Sequence, residues 1–160
     1  MPDERRLIQI IRDALLQHDP QNLLQLSEYF STWDGLLKLR DMTTGLYINQ
    51  NYYDVIFSWF WHQDPAISKI VRTVILFSGA RVLTTIIEDF LEQDKDISNF
   101  PYEISYNLSE KEFHIDLPGV PGRGVSHYGR DNPEIDRFLC VLEKIYARMY
   151  PERIPPGFRQ

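Results

Sequence analysis

Cysteine is almost missing from this sequence. Cys140 stands alone, so no disulfide can close within the chain, and such usage fits a reducing compartment. Histidine is scarce too. His18, His62, His114 and His127 lie on separate segments, no two at metal-ligand spacing, so the sequence predicts no metal centre and no cofactor. The N-terminus, MPDERRLIQ, lacks the apolar core of a signal peptide, which with the lone cysteine predicts a cytoplasmic protein. In the most apolar part of the chain the uncharged run from Arg72 to Arg81 falls far short of the roughly 20 residues a bilayer needs, so no membrane span is expected. Positive charge is in deficit as well. Seventeen Lys and Arg face 23 Asp and Glu, for a net charge of −6, which speaks against a general nucleic-acid binder because phosphate contacts need a basic face. Neither an internal repeat nor a low-complexity tract is visible.

What is present is enough apolar material for a core: 43% of 160 residues, with 13% aromatic. The strongest periodic signal is Asp64–Asp94. Asp64-Pro65 opens a helix with an acceptor at the cap and a proline at the first turn. Ile67, Ile70, Val71, Val74 and Ile75 then mark one face. The pattern resumes after Ser78-Gly79 at Val82, Leu83, Ile86, Ile87, Phe90 and Leu91, but rotated, which predicts a break or kink at Gly79.

Before this stretch, Asp3–Gln17 reads as a helix with Leu7, Ile8, Ile11, Ala14 and Leu15 inward, capped by Asp3. His18-Asp19-Pro20 restarts a second helix through Phe30. Ser31–Gly35 reads as a turn, and Leu36–Met42 fits a strand or a helix equally. Thr43-Thr44-Gly45 is a turn, Leu46–Asn49 a short strand, and Asn51 the cap of a third helix through Trp61. After the central stretch, Tyr102, Ile104 and Tyr106, then Phe113, Ile115 and Leu117, alternate with polar residues as in a β-hairpin turning near Ser109-Glu110. Pro118–Gly124 reads as an irregular loop. Asp131-Asn132-Pro133 opens a last helix to about Tyr150, with Pro151 ending it.

Few residues suggest chemistry. Asp94, Asp96 and Ser98 begin like a calcium loop, but Asn99 and Ser105 occupy the positions that need Gly and an acid. Gly124-Val125-Ser126-His127-Tyr128-Gly129 misses the nucleophile-elbow spacing by one residue, and residues 122–127 stop short of a dinucleotide loop because His127 replaces the third glycine. No catalytic residue is assigned, and the sequence points away from an enzyme. Arg123, His127 and Arg130, ahead of a helix N-terminus, form a weak anion-binding candidate. The aromatic segment Tyr47–Trp61 is the most suggestive feature. Its helix is apolar nearly all round, so Tyr52, Tyr53, Trp59 and Trp61 are the candidate anchors for a protein partner or for self-association.

One short segment has a family likeness. LKLRDMTTGLYINQNYYDVIF, Leu37–Phe57, resembles the opening of a PAS sensory domain: a strand ending in Arg-Asp, a Thr-Gly turn, a second strand, then Asn and a helix. The resemblance implies a strand at Leu36–Met42 paired with Leu46–Asn49 and a small-molecule sensor with a closed pocket; it assigns no ligand residue.

These signals predict a mainly α (α+β) protein: a single helix-rich domain over residues 1–150, with five or six helices and one β-hairpin near 102–117, followed by an extended tail over 151–160. The expected function is that of a non-enzymatic cytosolic protein-interaction module: an adaptor, a regulator or a helical subunit of a larger assembly. The alternatives are the PAS-like sensor and a subunit of a nucleoprotein complex using Arg123, Arg130, Arg148 and Arg153 on one face.

Overall fold

Helix-forming periodicity dominates the sequence, and helices dominate the computed structural model, which describes residues 4–153. The architecture is helix-rich α+β, as expected, with a small three-stranded antiparallel sheet. Its contacts separate into two compact units, Met1–Gly79 and Ala80–Gln160, divided at the break foreseen within the central stretch.

The first unit begins with α1 (Glu4–Gln17), which buries Leu7, Ile10, Ile11, Ala14 and Leu15. The cap expected at Asp3 lies outside the described residues. His18 ends the helix in the left-handed region at φ 53°, and Asp19 then accepts from the Gln21 amide to start Pro20–Phe30. That second helix is wound as a 3-10 helix. Its buried residues, Leu23, Leu26 and Tyr29, recur every third position, and three residues per turn places such a set in one line.

The next segment corrects the sequence reading. Residues 31–35 are not a turn, because Thr32 accepts from the Gly35 amide at 3.0 Å and caps α2 (Trp33–Thr43). Leu36, Leu39 and Thr43 are its buried positions, spaced for a helix and not for a strand. Leu46–Asn49 is likewise not a strand, so the strand pair implied by the PAS-like resemblance is absent here. Gly45, at φ 79°, makes the turn between them. The cap after it is Asn49, two residues earlier than expected. It opens a 3-10 turn at Gln50–Tyr52 that runs into α3 (Tyr53–Phe60), and α4 (Pro65–Phe77) follows from the Asp64 cap. α4 packs against α2, α3 and the 3-10 helix, and so forms the spine of this unit.

The second unit begins with α5 (Ala80–Glu92), whose inward residues Val82, Leu83, Ile86, Ile87 and Phe90 match the second periodic run. α5 packs on α6 (Pro133–Met149). Between them, β1 (Glu103–Asn107) and β2 (Glu112–Leu117) form the expected hairpin, with Ser105 opposite His114. A third strand was not expected. β3 (Val120–Ser126) lies in what the sequence suggests is a loop, and it pairs antiparallel with β2. Two conditions let Val-Pro-Gly-Arg-Gly form a strand. An edge position tolerates Pro121. The glycines alternate with Arg123 and Val125, so they lie on the outer face, beneath the side chains of Glu112, His114 and Asp116. The inner face carries Ile104, Phe113 and Ile115, and Phe113 meets Tyr146 of α6 edge to face at 6.0 Å. Pro151–Arg153 is a 3-10 turn; the rest of the expected tail lies outside the described residues.

Candidate functional site

The aromatic segment divides between core and surface. Trp59 is 6% exposed and packs with Ile11, Leu15, Leu23, Ile56, Val71 and Val74 in the interior of the first unit. Trp61 is half-buried. The Arg72 guanidinium lies 5.1 Å from the Phe60 ring and 5.4 Å from the Trp61 ring, while its Nε donates to the Phe60 carbonyl at 3.0 Å. This cation–π clamp gives Trp61 a role in holding α3 to α4. Tyr53, half-buried, stacks on Phe57 at 5.7 Å.

Tyr52 differs from the other three. It lines an open groove of about 440 Å³ together with Leu15, Leu16, Tyr47 and Ile48. Leu16 is 68% exposed and Tyr47 63% exposed, and they stand on α1 and on the extended segment before α3. Gln9, Arg12, Asp13 and Asn49 supply the polar part of the lining. Sequence reasoning missed Leu16. The available signal was its place beside Leu15, about 100° around α1 from the buried stripe, where a large apolar side chain has no packing reason to be.

Of Arg123, His127 and Arg130, the last two come together in the turn between β3 and the start of α6. The 3-10 turn His127–Asp131 presents Arg130 to two carboxylates of α6: Nη1 donates to Asp136 at 2.8 Å, and Nη2 forms an ion pair with the fully buried Glu143. Arg130 Nε also points to His127 Nε2 at 3.4 Å. Arg123 is turned inward over the Phe138 ring at 5.6 Å, and burial lowers its pKa. An external anion would therefore meet a guanidinium already held by Asp136 and Glu143. Glu143 was also missed from the sequence, although a carboxylate set among Leu139, Leu142 and Tyr146 on the apolar face of α6 signals a buried partner.

The other candidates serve local structure. Arg148 donates to the Lys95 carbonyl at 2.8 Å and lies 3.4 Å from Asp94; Arg153 stacks over Tyr150 at 4.9 Å. The four arginines of the nucleoprotein reading thus engage carboxylates, a carbonyl or rings of the same unit. Ser126 accepts from the Tyr128 amide and caps the turn, while the His127 ring is directed to Arg130. His62 Nδ1 accepts from the Asp64 amide at 2.9 Å, and His114 Nδ1 lies 3.0 Å from Asp116. Among the described residues no three His, Cys, Asp or Glu side chains gather in a way that holds a metal ion, and no helix is long and apolar enough to cross a membrane. Comparison with known proteins returns no match, whether to a family model, a curated protein or a solved structure.

Proposed function

We propose that the chain is a non-enzymatic protein-interaction module, an adaptor or regulatory subunit of a cytosolic assembly, whose docking surface is the groove between α1 and the segment preceding α3. The observation that carries this reading is the pair of exposed anchors, Leu16 and Tyr47, on one groove of about 440 Å³ with Tyr52 in its wall. Exposed aromatic and aliphatic side chains around a concavity are the usual anchors of a protein interface.

The partner is a different protein that brings an apolar side chain flanked by acidic ones. Among the described side chains of α1, Arg5, Arg6 and Arg12 are exposed, against one carboxylate, Asp13, which accepts the Gln9 amide at 2.7 Å. Two copies meeting groove to groove would set these arginines against each other, which disfavours self-association through this face.

The test is capture of partners from the native cell, then purification of the principal one and measurement of its affinity. Leu16→Ser with Tyr47→Ser should lower that affinity by at least tenfold, and Arg12→Glu by several-fold, with the thermal midpoint unchanged because all three positions are exposed. An affinity indifferent to these substitutions, or no partner at all, refutes the proposal.

A further inference from the structure

The sheet has two edges, and they are built differently. β3 carries Pro121, which has no amide hydrogen to offer, and its register with β2 is irregular between Ile115 and Leu117. Both features keep an edge from accepting another strand. Among the described residues the sheet ends on its other side at β1, which reads Glu103-Ile104-Ser105-Tyr106-Asn107 and pairs with β2 in regular register over all five residues. It has neither proline, lysine nor bulge.

An open hollow of about 670 Å³ lies over the outward face of the hairpin at its turn end. β1 contributes Ser105, Tyr106 and Asn107 to its lining, and β2 contributes Glu112 and His114. The surface beside it is acidic. Glu103, Glu112 and Asp116 hold outward positions of β1 and β2, with Glu110 in the turn. No Lys or Arg holds an outward position of the three strands: Arg123 pairs with Ile115 on the inner face, and Lys111 lies in the turn with its ammonium over the Tyr128 ring.

We infer that the outer edge of β1 is a strand-addition site for an extended, Lys- or Arg-bearing segment of a partner protein. The segment would continue the sheet by backbone hydrogen bonds, and its alternate side chains would lie against Glu103, Glu110 and Glu112. A second copy of this chain is a poor occupant, since two surfaces carrying Glu103, Glu110 and Glu112 would meet with the same sign of charge. This surface belongs to the second unit and does not depend on the groove of the first.

A display library of random twelve-residue segments, selected on the full chain, tests the inference. The enriched segments should carry Lys or Arg at alternating positions, and they should slow hydrogen exchange of the amides of residues 103–107. Glu103→Lys with Glu110→Lys should weaken them at least tenfold while the circular dichroism spectrum stays that of the parent. Failure to enrich any segment, enriched segments without basic residues, or protection mapping away from β1 would each overturn it. So would a concentration-dependent dimer that protects residues 103–107 without any added segment.

Discussion

Arg130 and Glu143 form an ion pair against the middle of α6 in which the carboxylate is completely buried and the guanidinium side chain is 18% exposed. Asp136, one-third exposed on the same helix, takes a second donor of the same guanidinium. The pair ties the turn His127–Asp131 to the body of α6, and that turn in turn receives the end of β3. Breaking a buried pair leaves a charge without a partner and costs roughly 3–5 kcal/mol. Arg130→Met should therefore lower the denaturant midpoint of unfolding sharply, and Glu143→Gln should do so by a similar or smaller amount. Arg130→Met combined with Glu143→Leu should recover most of the loss, because the double variant buries no charge at position 143.

Gly35 and Gly79 look alike in the sequence, each beside a small polar residue, and should respond oppositely to alanine. A Cβ at Gly35 would lie 2.6 Å from the Tyr29 carbonyl oxygen, where the start of α2 crosses the end of the 3-10 helix. Gly35→Ala should cost about 1–3 kcal/mol, the range for overpacking against atoms that cannot move aside. Gly79 has open space around its Cβ direction and no positive φ. The break there is made by Ser78, extended at ψ −178°, whose hydroxyl donates to the Ile75 carbonyl. Gly79→Ala should be neutral or stabilise by up to ~1 kcal/mol through the unfolded chain. Thermal melts of the two variants decide it.

The two outward glycines of β3 separate in the same way. A Cβ at Gly122 would lie 2.5 Å from the Ile115 carbonyl oxygen, a backbone atom of the neighbouring strand. At Gly124 it would meet only the side chain of Glu112, which can swing away. Gly122→Ala should cost about 1–3 kcal/mol. Gly124→Ala should stay within about 1 kcal/mol of the parent. Hydrogen exchange of the β2 amides would show whether the loss is centred on the β2–β3 pairing.

Asp96 caps the 3-10 turn Ile97–Asn99, and its pKa is lowered, first by the Ser98 amide and then by the Ser98 hydroxyl. A depressed folded-state pKa means a stabilising contribution that is fully present above the ordinary aspartate range, near ~3.9, and lost as pH falls through the lower folded value. Carboxyl NMR titration should place Asp96 below free aspartate. Ser98→Ala should move the midpoint upward without reaching the free value, because the backbone donor remains.

Much of this architecture was legible residue by residue, and particular elements show why. α4 and α5 could be read from apolar spacing, the Asp64-Pro65 start and the rotation of the face at Ser78-Gly79, because these are local consequences of helical geometry. The hairpin could be read from strict alternation. α2 could not, since Leu36, Leu37, Leu39 and Met42 fit a strand or a helix about equally; the choice falls to the Thr32 cap and to burial against α4. β3 was hidden for a different reason. Its Pro and Gly content carries a strong local signal for a loop, and it is a strand because β2 offers a pairing edge and its outward side chains need glycine beneath them. For the candidate surfaces, composition located the aromatic segment but not which rings would face out.

The sequence alone, then, determined the helix-rich α+β class, the place of the central break, the hairpin, and the lack of a disulfide or a membrane-spanning helix within the described residues, all of which follow from local spacing or composition. Tertiary structure alone decided that Trp59 is core while Leu16 and Tyr47 are surface, that Arg130 is matched by Asp136 and Glu143, and that β1 is the unguarded edge of the sheet. Exposure, charge pairing and edge position are properties of which segments meet. Residues distant in the chain decide them, and a local pattern carries no record of that meeting.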